Sequence, residues 1–134
     1  MLTKATSRRT THALQMYSMY LTYQDRANGR DPYFNSKIVR VFEDLLQRGP
    51  QGLLRADALS WLARASRARG QRDSAERYMR DLIEMLLDDA VHRNSLARGF
   101  MNDLEMWFIE WGETRKAAEL AEWREEELGT ETTA

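Results

Sequence analysis

Residues 62–79, LARASRARGQRDSAERYM, decide the fold of this chain. Leu62 and Ala65 continue an apolar stripe that begins at Leu54 and Ala58, with Trp61 beside it. The stripe stops at Gly70, and a second one starts after it with Tyr78, Met79, Leu82, Ile83 and Leu86. Both repeat at helical spacing, so the stretch reads as helix, tight turn, helix. Glycine is suited to such a turn because it takes the left-handed C-cap conformation without strain. The small Ala75 lets the second helix cross close to the first.

The same arrangement recurs along the chain. Gly29 and Gly112 lie 41 and 42 residues either side of Gly70; Ala117 follows Gly112 by five positions, as Ala75 follows Gly70; Leu62 and Leu104 each precede their glycine by eight. A period of this size marks a repeated supersecondary unit. Around Gly29 the pattern is degenerate, with Phe34 where the small residue belongs.

The remaining sequence completes an all-α fold of about six helices in three antiparallel hairpins, near 7–48, 53–88 and 92–128, within a single domain 1–134. The first helix, about 7–24, carries Leu14, Tyr17 and Leu21, with Met16, Tyr20 and Tyr23 beside them, and predicts a wide buried face. Asp31 as N-cap and Pro32 as first helical residue open the second helix, whose core face is Ile38, Val41, Phe42 and Leu45. RGPQG at 48–52 ends it. Asp73 and Glu76 have the spacing of a capping box at the start of the fourth helix. The fifth holds Met101, Leu104, Trp107 or Phe108, and Trp111; the sixth starts at Thr114 and holds Ala117, Leu120, Ala121 and Trp123. Between the last two hairpins, DDAVHRNSLARG must hold extra helix or loop, and the tail 129–134 is expected to fray.

Composition narrows the function. With no cysteine, thiolate metal sites and thiol nucleophiles are excluded, and His12 and His92 lack a second ligand at the spacing of a zinc site. No metal or other cofactor is expected. The longest apolar run is MWFI at 106–109, too short to span a membrane, so a soluble intracellular protein is expected. The start is free of acids before Asp25, rich in Ser and Thr, and carries Lys4, Arg8 and Arg9. That composition resembles an organelle transit peptide and points to the mitochondrial matrix, with the cytoplasm as the location otherwise.

The formal charge of −1 conceals an asymmetry: residues 1–80 hold fifteen Lys and Arg against seven Asp and Glu, and residues 81–134 hold five against fourteen. A chain basic at one end and acidic at the other suits attachment to oppositely charged protein surfaces better than lying along one polyanion. Head-to-tail self-assembly is open to such a chain, the acidic segment EWREEELGTE of one copy serving as ligand for a basic face on another. Four tryptophans and five tyrosines serve a helical core or an interface equally well.

LARASRARGQRDSAERYM and LEMWFIEWGETRKAAELAEW resemble the helix–turn–helix units of tetratricopeptide and pentatricopeptide repeats. The matching positions are Leu62, Ala63, Gly70, Ala75 and Met79 in one unit, and Leu104, Gly112, Ala117 and Leu120 in the other. The likeness covers about the last eighty residues, and the spacing departs from the 34 residues of the tetratricopeptide repeat. It implies a right-handed α-solenoid, against the alternative of an irregular helical bundle. It also implies a partner-holding face on the first helix of a hairpin: Asp57, Ser60, Arg64 and Arg67. Arg64 and Arg67, one turn apart, have the spacing to clamp a carboxylate. Arg77 and Arg80 extend the basic surface, and Glu119, Glu122, Glu125, Glu126 and Glu127 form an acidic one. A pentatricopeptide likeness would instead imply RNA, with Ser60 and Asn102 at the base-reading positions; the acids Asp103, Glu105, Glu110 and Glu113 around Asn102 oppose phosphates.

No G-x-x-x-x-G-K, G-x-S-x-G or H-E-x-x-H motif is present, and the carboxylate pairs Asp88–Asp89 and Glu125–Glu127 fall near a helix end and in the tail. The expectation is a non-catalytic adaptor or structural subunit binding other proteins, with an RNA-associated organelle protein as the alternative.

Overall fold

The computed structural model describes residues 4–49, 52–88 and 94–129, with side chains from residue 10 onward in the first segment. Six α-helices account for nearly all of them: α1 (Lys4–Ala27), α2 (Ser36–Gln47), α3 (Gly52–Ala68), α4 (Arg72–Leu87), α5 (Asn94–Glu110) and α6 (Thr114–Leu128), with one 3-10 turn at Pro32–Phe34. No strand occurs among the described residues, so the all-α expectation holds. The stretch 89–93 and the tail 130–134, for which extra structure and fraying were expected, lie outside the described residues.

Gly29, Gly70 and Gly112 take φ of 72°, 76° and 76°. Each closes its turn with the same two backbone bonds. The amide after the glycine donates five residues back, as from Gln71 to Ser66 and from Glu113 to Phe108, both at 2.8 Å. The glycine's own amide donates three residues back, from Gly70 to Arg67 at 3.1 Å and from Gly112 to Ile109 at 3.0 Å. Arg30 to Asp25 and Gly29 to Arg26 repeat the pattern at 2.8 and 3.2 Å. This is the Schellman termination, which satisfies the orphan carbonyls of a helix end. Ala75 and Ala117, the small residues that follow two of these turns, are buried.

The chain divides into two compact units, residues 1–78 and 79–134. In the first, α1 packs on α2 and α2 on α3, with the 3-10 turn against all three. Ile38, Val41, Phe42, Leu45, Ala58 and Leu62 form the core, flanked by Leu14, Leu21, Trp61 and Tyr78. Trp61 stacks on Phe42 at 4.6 Å and receives the edge of Tyr33 at 5.4 Å. In the second unit α6 runs back along α5. Arg98, near the start of α5, donates to the carbonyls of Leu128 and Gly129 at the end of α6, and Met101, Leu104, Phe108 and Leu120 are buried.

Three expectations are corrected. The buried face of α1 is narrow: Leu14 and Leu21 pack inward with Ser18 and Asp25 on the same stripe, while Met16, Tyr17, Tyr20 and Tyr23 are exposed, Tyr23 by 73%. Asp31 caps the 3-10 turn through the Tyr33 amide, and α2 starts four residues later under Asn35, which accepts from the Lys37 amide. Asp73 lies in the first turn of α4 and is not its cap. The Schellman turn at Gly70 ends α3 so abruptly that α4 is under way by Arg72, and the Gln71 carbonyl accepts its first amide, from Ala75.

Seven acids face fourteen Lys and Arg in the first unit, a net +7; fourteen acids face six in the second, a net −8. The charge asymmetry therefore divides where the structure divides.

Candidate functional site

Helix α3 buries Ala58, Leu59, Leu62, Ala63, Ala65 and Ser66, so its remaining face is outward by necessity. Asp57, Arg64 and Arg67 are exposed there and Ser60 is half-buried. The four positions expected to form one partner-holding face thus share one side of one helix. Arg77 is exposed on α4, its guanidinium 5.3 Å from the Tyr78 ring. Arg80 is placed differently. It lies in the second unit, half-buried, with its guanidinium 5.9 Å from both the Phe108 and Trp123 rings. Contacts of that geometry add cation–π attraction within the second unit.

On α6, Glu119, Glu122, Glu125, Glu126 and Glu127 are all exposed. Glu119 accepts from Arg115 at 3.2 Å along the helix. The side-chain oxygen of Asn102 accepts from Arg124 at 2.7 Å, and the same nitrogen of Arg124 donates to Glu105 at 2.7 Å. Asn102 is thereby tied into the α5–α6 pairing. His12 is exposed on α1, and His92 lies outside the described residues. Among the described residues no group of three or more His, Asp or Glu could hold a metal ion, and no helix is long and apolar enough to cross a membrane.

The first unit also contains a part-open cleft of about 250 Å³ that the sequence did not announce. Its lining comes from α2 (Val39, Glu43), the end of α3 (Leu62, Ala65, Ser66), the turn (Arg69, Gln71) and the start of α4 (Ser74, Arg77, Tyr78). Leu62, Ala65 and Ser66 are buried and form the floor, while Glu43, Arg69 and Arg77 are exposed at the rim. The local cause is the Schellman turn. It swings Arg69 and Gln71 past the end of α3, so that the first turn of α4 faces the same space.

Among the described residues three polar side chains are buried, and two of them have their hydrogen bonds accounted for. Ser18 donates to the Gln15 carbonyl at 2.7 Å. Asp25, 4% exposed, accepts from Asn35 at 2.8 Å and from Arg30 at 3.0 Å. The Asn35 hydrogen bond, followed by the bond and charge of Arg30, holds the Asp25 carboxyl below its ordinary value against the opposing effect of burial. Ser66 is the third. It is 6% exposed, and its hydroxyl has no partner among the described residues. Glu43, Ser66, Arg69 and Ser74 were not read as site residues from sequence. The one local signal was Ser66 itself, a polar residue four positions after Leu62 on a stripe otherwise apolar.

No protein-family model matches the chain, and no curated protein or solved structure is significantly similar to it.

Proposed function

We propose that this protein is a non-catalytic helical-hairpin adaptor or structural subunit that binds other proteins, with the outer face of α3 as its contact surface. The observation that carries the reading is the pair Arg64 and Arg67, exposed one turn apart on a helix whose opposite side is anchored in the interior. Guanidinium forks presented one turn apart suit bidentate contact with carboxylates, and the first unit's net +7 steers an acidic partner toward them. Three identical glycine turns 41 and 42 residues apart support a tetratricopeptide-like repeat as the scaffold. The acidic α6 offers a complementary surface to a basic partner or to another copy. A mitochondrial location rests on the acid-free start alone.

Association with RNA in an organelle is the second reading, favoured by the positive first unit. Against it stand the acids around Asn102 and the use of that side chain by Arg124. A pull-down of the full chain from its native lysate, with and without nuclease, separates the two. A defined set of proteins retained in both halves, and lost on Arg64→Glu with Arg67→Glu, is expected. Retention abolished by nuclease would transfer the reading to RNA.

A further inference from the structure

The cleft between α2 and the α3–α4 turn is small and largely polar in its lining, and it lies apart from the outward face of α3 invoked above. Its 250 Å³ far exceeds the ~10–15 Å³ that admits one water. Three charged side chains line it, two positive and one negative. Among the described residues neither Arg69 nor Arg77 is paired with a carboxylate, and Glu43 is paired with no cation. At the floor is Ser66, whose buried hydroxyl has no hydrogen-bond partner among the described residues. Buried polar groups in native proteins are almost always satisfied, by protein, water or ligand, and Ser66 faces a space roomy enough for any of these. Ser74 and Gln71 add neutral donors to the lining.

The signs of the lining select the ligand. A phosphate or other compact dianion would meet Arg69 and Arg77 but be repelled by Glu43. A simple cation would meet Glu43 and be repelled by the arginines. A molecule with two carboxylates and one ammonium complements all three. We propose that this cleft binds a free acidic amino acid, L-glutamate or L-aspartate, its carboxylates on Arg69 and Arg77, its ammonium on Glu43, and one carboxylate oxygen accepting from Ser66. The apolar walls Val39, Leu62 and Ala65 accommodate the short methylene chain.

The test is isothermal titration calorimetry on the full chain with L-glutamate, L-aspartate, L-glutamine, glutarate and inorganic phosphate. Saturable binding of L-glutamate or L-aspartate is expected with Kd at or below about 1 mM. L-glutamine, which lacks one carboxylate, and glutarate, which lacks the ammonium, should bind about tenfold or more weakly. Arg69→Gln with Arg77→Gln should weaken the amino acid about tenfold or more, while Glu43→Gln should erase the preference over glutarate and leave glutarate binding in place. These three side chains are at the exposed rim, and an unchanged circular dichroism spectrum verifies that the fold survives. Ser66→Ala gives an independent readout: it should leave the melting temperature of the free protein unchanged or raised, since it removes an unsatisfied hydroxyl, and yet weaken the ligand. Phosphate binding as tightly as either amino acid, saturable binding indifferent to the rim substitutions, or no saturable binding of the two amino acids overturns the proposal.

Discussion

Asn35 holds Asp25 from ten residues away: its amide nitrogen donates to the Asp25 carboxylate at 2.8 Å while its amide oxygen accepts from the Lys37 backbone at 2.9 Å. One short side chain therefore joins the last turn of α1 to the first turn of α2. Asn35→Ala should cost about 1 kcal/mol for the lost cap alone, and more in total because Asp25 stays buried with one partner fewer. Chemical denaturation of the variant against the unaltered chain reads the loss directly.

The same pair sets a pH dependence. Asp25 has a folded-state pKa lowered from the ordinary 3.8, so its stabilising contribution is fully present above the unfolded value and disappears as pH falls through the folded one. Melting temperatures of the unaltered protein and Asp25→Asn should differ most at neutral pH and converge in acid. A difference that persists unchanged to acid pH would show that the carboxylate charge is not what stabilises the latch.

Glycine substitutions should sort by backbone angle rather than by space. No atom would obstruct a Cβ at Gly70, Gly112 or Gly99. Gly70 and Gly112 sit at φ +76°, where alanine costs about 1–2 kcal/mol. Gly99 is inside α5 without a positive φ, and alanine there should stabilise by up to about 1 kcal/mol. Thermal melts of the three single variants decide it.

Arg124 and Glu105 form an ion pair across α5 and α6 with both side chains less than a third exposed. A double-mutant cycle with Arg124→Ala and Glu105→Ala should give a coupling of about 1 kcal/mol, the upper range for such pairs. Leu45→Ala in the first unit should cost more, about 2–5 kcal/mol, because the side chain is wholly buried and its removal leaves a void.

The glycine turns were legible in the sequence because their cause is local: only a few residue types tolerate a positive φ, and the turn is complete within six residues. The core positions Ile38, Val41, Phe42 and Leu45 were legible for the same reason, since helical period alone assigns them. The width of the α1 face was not. Met16, Tyr20 and Tyr23 are large side chains with mostly apolar surface, like Leu14 and Leu21, and packing against α2 decides which of them are covered. Capping by Asn35 was hidden behind Asp31–Pro32, a stronger local signal that drives a single 3-10 turn instead. The exposed arginines of α3 followed from its stripe. The cleft did not, because Glu43 and Arg77 are 34 positions apart and no periodicity joins them.

The partition of charge between the two units bears on how the protein behaves in a test tube. With a net charge of −1, molecules repel one another weakly as wholes, while the basic unit of one attracts the acidic unit of the next. Screening shortens that attraction from about 30 Å in 0.01 M salt to about 3 Å in 1 M. The protein should therefore salt in: turbid near its isoelectric point of about 6.1 in dilute buffer, clear once sodium chloride is added.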